Sequence, residues 1–139
     1  MTTQPGLPPR IASVLDIALH RFLGVTLLDE TDPRAGITFN VGQAALNNGG
    51  VLHGGIVTAM VDVACYLAIL PDLADNENVV THDLTVSLMR PVPAGSDVHV
   101  RGTVLRRGRA VVFLRAEAMV GDVVVAAGQV TKTVVTLRS

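Results

Sequence analysis

The chain lacks several features that would assign it to a common class of protein. Its 139 residues include no tryptophan, one tyrosine, three phenylalanines and a single cysteine. The lone Cys65 excludes a disulfide within one chain and is typical of a reducing compartment. With 11 basic and 12 acidic residues, the chain has no electrostatic footprint for nucleic acid. The N-terminus shows no basic start followed by an apolar run, so we predict no secretory signal and expect a cytoplasmic protein.

Long apolar runs are also scarce, and the one that stands out is interrupted by an acid. From Ile56 to Leu70 every residue is apolar except Thr58 and Asp62. The run is short for a membrane span and has a carboxylate near its middle, so we predict a buried helix and no membrane partner. Burying that carboxylate is costly unless it is paired, protonated or used in chemistry. Turn residues and a His-Gly-Gly triplet directly precede the run, and together these features predict a functional site.

The spacing of the apolar residues predicts one α+β domain over residues 11–139, after a flexible, proline-rich lead at residues 1–10. Residues 11–22 have helical periodicity, and the apolar run predicts a central helix over Gly54–Leu70. The later strands are joined by short connections, which require antiparallel neighbours. A long helix without a polar face can be buried only by a sheet that curls around it. The predicted strands are Val25–Asp29, Gly36–Gly42, Val79–Met89, Asp97–Leu105, Ala110–Val120 and Val123–Leu137.

A spaced set of five residues surrounds the start of the central helix: Asn47, His53, Gly54, Gly55 and Asp62. This set, in this order of elements, resembles the hotdog-fold thioesterases, in the PaaI-like branch of the phenylacetate-degradation type. In that family an Asn lies six positions before the His, and an acid lies nine positions after it. The match covers almost the whole chain after residue 10. It implies a hotdog fold, an antiparallel sheet of about six strands around a long central helix, with a short N-terminal helix.

The resemblance implies hydrolysis of an acyl-CoA thioester, which needs donors for an oxyanion and a group that delivers oxygen. The N–H groups at a helix start lack partners within the helix, so we assign Gly54 as the main donor and Gly55 as a helper. Asp62 would activate water or attack the carbonyl directly, and the sequence does not choose between these roles. Three further residues are expected to support the site: His53 orients the turn through a ring hydrogen bond, Asn47 positions the thioester or the water, and Thr81 is a candidate for holding the water.

The two halves of this site lie too far apart to act on one carbonyl from one chain. Asp62 follows Gly54 by more than two helical turns, roughly 12 Å along the axis at 1.5 Å per residue. One side chain does not span that distance. We therefore expect Gly54 from one subunit to act with Asp62 from another, as in the family's shared dimer sites. A homodimer is the minimum assembly, and the resemblance makes a homotetramer plausible.

Coenzyme A carries phosphates, which makes arginines near the mouth of the site natural partners. The candidates are Arg90 at a strand end and a cluster of Arg106, Arg107 and Arg109 in a hairpin. The cluster fits a solvated turn equally well. No cofactor is expected beyond the coenzyme A of the substrate, and the histidines lack the spacing of a metal site.

Two nearby residues are predicted to take no part in the chemistry. Cys65 is three residues beyond Asp62 but has no histidine placed to activate it, so we predict core packing. His82 neighbours Asp83, which would suggest a proton relay. Because neighbouring strand residues point to opposite faces, we predict a histidine facing the surface or a loop instead.

Two other functions remain open from the residues alone. One is a hydratase or dehydratase of acyl thioesters on the same fold, although those families pair a catalytic His with an acid in other local motifs. The other is a non-catalytic acyl-CoA-binding protein. The acyl group itself is not specified, because an aliphatic pocket accepts both medium acyl chains and aryl rings.

Overall fold

The computed structural model describes residues 6–138, which form one antiparallel sheet with a long helix across it. The helices are α1 (Pro9–Leu15), α2 (Ala18–Leu23) and α3 (Gly54–Ile69), with short 3-10 turns at Pro33–Ala35, Gln43–Ala45 and Leu70–Asp72. The strands are β1 (Thr26–Leu27), β2 (Ile37–Asn40), β3 (Glu77–Leu88), β4 (Asp97–Arg107), β5 (Val111–Val120) and β6 (Val123–Thr136). The predicted class, the six strands and the central helix are confirmed.

The sheet has the strand order β1-β2-β4-β5-β6-β3, with every neighbouring pair antiparallel. Helix α3 packs chiefly against β4 and also touches β3, β5 and β6, so the sheet wraps around it as the hotdog fold requires. Residues with almost no exposure fill the space between them. They include Met60, Val61, Cys65, Leu67, Val98, Val100, Leu114 and Val130.

As far as Tyr66, helix α3 is buried on one side only, whereas residues 67–69 are buried all round. By length and composition the segment Gly54–Asp72 would suffice to cross a membrane, but half of it is buried inside this fold. The sequence predicts coverage on nearly every side, whereas the single chain leaves one stripe half-exposed. The stripe consists of Ile56, Thr58, Ala59, Asp62, Val63 and Tyr66. This stripe is apolar apart from a hydroxyl, a carboxylate and a phenol.

The N-terminal segment differs from its prediction, because two short helices replace the one expected over residues 11–22. The chain turns at Ile17, whose backbone is extended (φ −63°, ψ 135°). The buried His20 ring donates from Nδ1 to the Val14 carbonyl at 2.7 Å, so a side chain replaces the next helical hydrogen bond. Helix α1 also begins at Pro9, inside the predicted lead. Residues 1–5 of that lead lie outside the described residues.

Strand β3 forms one edge of the sheet and contains a bulge. It pairs with β6 along its whole length, and no other strand of the described chain covers its outer edge. Thr81 lies opposite Lys132 and Asp83 lies opposite Thr131, so His82 is the extra residue. Bulges often occur beside functional sites, where they re-aim a side chain.

Candidate active site

The His53 side chain caps the N-terminus of α3. The His53 ring accepts a hydrogen bond from the Gly55 N–H at Nδ1, at 2.9 Å, and this is the predicted ring hydrogen bond. A Cβ on Gly55 would lie 2.9 Å from two ring atoms of His53, so only glycine leaves room for the ring. The Gly55 N–H is therefore occupied, and its predicted help at the oxyanion is not available in this arrangement. The Gly54 N–H has no hydrogen-bond partner within residues 6–138.

Asn47 is oriented by the loop that leads into α3. Its Oδ1 accepts from the Gly49 N–H at 2.9 Å and from the Val51 N–H at 3.3 Å. These two donors require an oxygen at that position, so the amide nitrogen must point away from the loop. Within the described part of the chain, no group accepts a hydrogen bond from that nitrogen.

Asn47 and Gly54 line the same cavity, which we call the helix-start cavity. Its volume is about 260 Å³, and Arg90 lies in its wall together with apolar side chains from β3 and β6. Two residues that each have an unoccupied donor thus line one small space at the positive end of a helix dipole. Such an arrangement can stabilise negative charge on a carbonyl oxygen.

Asp62 lies in the middle of α3 and is anchored through one oxygen. Its Oδ1 accepts from the Thr81 hydroxyl at 2.7 Å and from Lys132 Nζ at 2.8 Å. The carboxylate is nevertheless 37% exposed in the single chain, so it is paired without being buried. The sequence leaves two roles open for Asp62, a structural acid held by a partner or a catalytic acid. The structure shows an Asp62 that is both paired and accessible.

Lys132 is the residue that sequence reasoning missed. Its side chain is 2% exposed and its Nζ also donates to Thr81 Oγ1 at 2.6 Å. A signal was present, because Lys132 is the chain's one lysine and alternates with Val130 and Val134 on an otherwise apolar face of β6. A charged residue in that phase of a strand indicates a buried partner.

Asp62 lines a second, larger cavity, which we call the Asp62 cavity. Its volume is about 450 Å³, and its walls come from α1, α2, α3, β3 and β6. The lining residues include Val14, Ile17, Tyr66, Asn78, Thr81 and Lys132. No residue lines both this cavity and the helix-start cavity. Within one chain, the donors and the carboxylate therefore face different spaces.

The predicted coenzyme A arginines separate into two groups. Arg90 lines the helix-start cavity, whereas the hairpin arginines line neither cavity. Arg107 donates to the carbonyls of Gly108 and Asp72 and to the Glu77 carboxylate at 3.4 Å. This guanidinium joins β4 to the start of β3, and its contact with a phosphate stays a prediction. Arg106 and Arg109 are exposed on the hairpin.

Cys65 and His82 lie where the sequence predicts them. Cys65 is fully buried, and burial raises the pKa of its thiol to about 12; the nearby Lys132 charge acts in the opposite direction. His82 is exposed and its Nδ1 lies 2.7 Å from the Thr133 hydroxyl, away from Asp62. Neither residue is placed to act on a ligand in the Asp62 cavity.

The chain is similar to proteins of one family in both sequence and structure. A family model described as the thioesterase superfamily matches residues 49–127. A candidate esterase of Saccharolobus solfataricus is 30% identical over 99 residues, which are 71% of this chain and 69% of that protein. A candidate esterase of Halobacterium salinarum is 35% identical over 101 residues, 69% of this chain and 66% of that protein. This chain therefore spans about two thirds of each curated relative.

Solved structures extend the similarity over most of the fold. A candidate thioesterase of Ralstonia eutropha, related to phenylacetic acid degradation, is 27% identical with a TM-score of 0.73, covering 84% of this chain and 89% of that chain. A Bacillus halodurans protein solved with CoA has a TM-score of 0.79 at 17% identity, covering 91% of this chain and 81% of that chain. The second similarity shows the shared fold alone.

Proposed function

The chain belongs to the thioesterase superfamily, and we propose that it hydrolyses an acyl-CoA thioester to the free acid and coenzyme A. Water supplies the oxygen that forms the new bond to the acyl carbon. The carbon–sulfur bond breaks, and the coenzyme leaves as a thiol. Asp62 either takes a proton from that water or attacks the carbonyl first and is then freed by water.

The observation that carries this proposal is the pair of donors in the helix-start cavity. Gly54 and Asn47 line one space, and each has an N–H without a partner within residues 6–138. A thioester carbonyl placed there would gain two hydrogen bonds that strengthen as negative charge develops on its oxygen. Arg90 in the same wall is the arginine best placed to meet a phosphate of the coenzyme.

The proposal requires a second copy of the chain, because the donors and Asp62 face different cavities. The half-exposed stripe of α3 supports such a copy, since an apolar surface of this kind is usually covered. The 12-residue β3 also presents an open edge, which favours pairing with another strand. We propose a homodimer in which Gly54 of one chain faces Asp62 of its partner, with a homotetramer as a further possible assembly.

The acyl group is proposed to lie in the Asp62 cavity of the chain that supplies the carboxylate. Aliphatic side chains of Val14, Ile17, Val63 and Val79 form much of its wall. A medium aliphatic chain and an aryl ring both match such a lining. Activity against thioesters that vary in chain length and ring substitution would define this specificity.

Thiol release from a panel of acyl-CoAs tests the proposed function. We expect turnover by the wild type and a loss of kcat of about 10²- to 10⁴-fold in Asp62→Ala. Asp75→Ala is the matched control, because this exposed acid follows α3 but lies outside both cavities. Thiol release by Asp62→Ala at the wild-type rate would contradict the role of Asp62.

Two other results would favour the alternative functions. Hydration of an enoyl-CoA without thiol release would identify a hydratase on the same fold. Saturable acyl-CoA binding with neither reaction would identify a binding protein. Calorimetry on the wild type, run beside the kinetic assays, distinguishes these outcomes.

A further inference from the structure

We propose that Lys132 is a positioning residue for the reaction, and this inference rests on the proposed function. The lysine holds one oxygen of Asp62 and the hydroxyl of Thr81, so that the other oxygen, Oδ2, is the one presented to water or to the acyl carbon. None of these contacts lies in the helix-start cavity. Lys132 therefore acts on the half of the site that delivers oxygen.

The hydrogen bonds among the three side chains have only one consistent direction. An ammonium can only donate, so Lys132 Nζ donates to both Asp62 Oδ1 and Thr81 Oγ1, at 2.8 and 2.6 Å. The Thr81 hydroxyl then directs its single proton to Asp62 Oδ1 at 2.7 Å. Thr81 can still accept from a water but has no proton left to donate to one.

The same contacts leave Asp62 Oδ2 without a partner among residues 6–138. Both oxygens belong to a carboxylate that is 37% exposed and lines the Asp62 cavity. With Oδ1 fixed by two donors, rotation of the carboxylate would cost both hydrogen bonds. The two donors therefore hold in one orientation a carboxylate that lines the cavity and has Oδ2 free.

A purely structural role explains the lysine poorly. Removing an ammonium from water is expensive, and an apolar side chain of similar length would fill the same space without that cost. In the single chain Asp62 is exposed enough to be solvated without a buried cation. The chain also has arginine at every other basic position and its single lysine here, 2% exposed and 5.7 Å from the Tyr66 ring centroid.

The kinetics of Lys132→Met distinguish a positioning role of Lys132 from an effect on packing alone. Because hydrogen bonds to charged groups are worth roughly 1.5–3 kcal/mol, we expect kcat to fall about 10- to 100-fold with little change in KM. In an Asp62→Ala background the same substitution should cause no further loss. Val134→Ala, on the same face of β6, should lower the melting temperature without lowering kcat.

Chemical rescue separates the ammonium from the rest of the side chain. Lys132→Ala leaves space that opens to the Asp62 cavity. Ethylammonium or propylammonium should therefore raise the kcat of this variant at least tenfold. Tetramethylammonium, which has no N–H, should restore nothing. Absence of rescue by either amine, with the variant folded, would overturn the inference.

The single lysine permits a readout that does not depend on turnover. Protein labelled with ¹⁵Nζ-lysine should give one ammonium resonance, which shifts in both Asp62→Asn and Thr81→Val. An unshifted resonance would show that the three groups are not joined, and so would overturn the inference.

An active wild type with unchanged kcat in Lys132→Met would overturn the role of Lys132 while leaving the proposed function intact. A wild type that releases no thiol would overturn the proposed function and this role with it.

Discussion

Gly54 and Asp62 lie on the same helix, yet they line separate cavities that share no residue. Eight residues at 1.5 Å each place them roughly 12 Å apart along the helix axis. Under the proposed function, the Gly54 donor and the Asp62 carboxylate meet one thioester only if they come from different chains.

Mixed dimers should recover activity from two inactive parents. Asp62→Ala retains the donors, whereas Gly54→Pro removes one donor and keeps the carboxylate; proline is tolerated at the first position of a helix. Random exchange makes half the dimers hybrid, each with one intact site of two, so roughly a quarter of wild-type activity should return. Thiol release before and after denaturation and refolding of the mixture measures the recovery. Inactive mixtures with proven subunit exchange would contradict a shared site.

Asn47→Asp should separate the two functions of that side chain. The aspartate keeps an oxygen for the Gly49 and Val51 N–H groups but replaces the donor with a negative acceptor. We expect kcat to fall about 10²- to 10³-fold, as for removal of one oxyanion donor, with a melting temperature close to that of the wild type. Asn48→Asp is the matched control, since it introduces the same charge at the adjacent exposed position. Equal activity in Asn47→Asp and the control would refute the assignment.

Gly55→Ala should displace the His53 ring. The new Cβ would lie 2.9 Å from two ring atoms, so the ring must move and its hydrogen bond to the helix start breaks. Loss of a cap costs about 1 kcal/mol of unfolding free energy, measured by urea denaturation. Gly42→Ala is the comparison, because its Cβ meets nothing within 4 Å. If Gly55→Ala lowers the free energy of unfolding as much in a His53→Ala background as in the wild type, the position of the ring does not depend on this glycine.

The Cys65 thiol should make the protein less stable at high pH. Its pKa is raised by burial to about 12 in the folded chain, from an ordinary value of 9.0. The unfolded chain therefore loses this proton first, and stability falls as pH rises from 9 toward 12, by up to about 1.4 kcal/mol per pH unit. Urea denaturation at several pH values should show this slope in the wild type relative to Cys65→Ala. Parallel curves for the two proteins would contradict it, as would rapid reaction of the folded thiol with a disulfide reagent at pH 8.

Most of the fold could be predicted because its signals are local. The apolar run of α3 and the alternation along β4, β5 and β6 need no knowledge of distant residues. The N-terminal helix is confirmed, but its predicted extent over residues 11–22 is divided in two. The break depends on a side chain, because His20 bonds to the Val14 carbonyl and lies buried in the fold.

The site could be predicted only where its residues are close in sequence and have a recognisable spacing. Asn47, His53 and Gly54 lie together in sequence and together in space. Lys132 is 70 residues from Asp62, and their contact depends on the register of β6 with β3. The ring hydrogen bond of His53 is predicted, but which N–H group it occupies, that of Gly55, depends on the rotation of the ring.

The bulge at His82 changes which residues of β3 face the helix. Before it, Val79 and Thr81 face the helix; after it, Leu84 and Val86 do, and the alternation has changed from odd to even positions. If His82 were paired in regular alternation instead of bulged, Asp83 and Thr85 would turn toward the core. The bulged residue thus allows one strand to present Thr81 to the polar site at one end and Leu84 and Val86 to the apolar interior at the other.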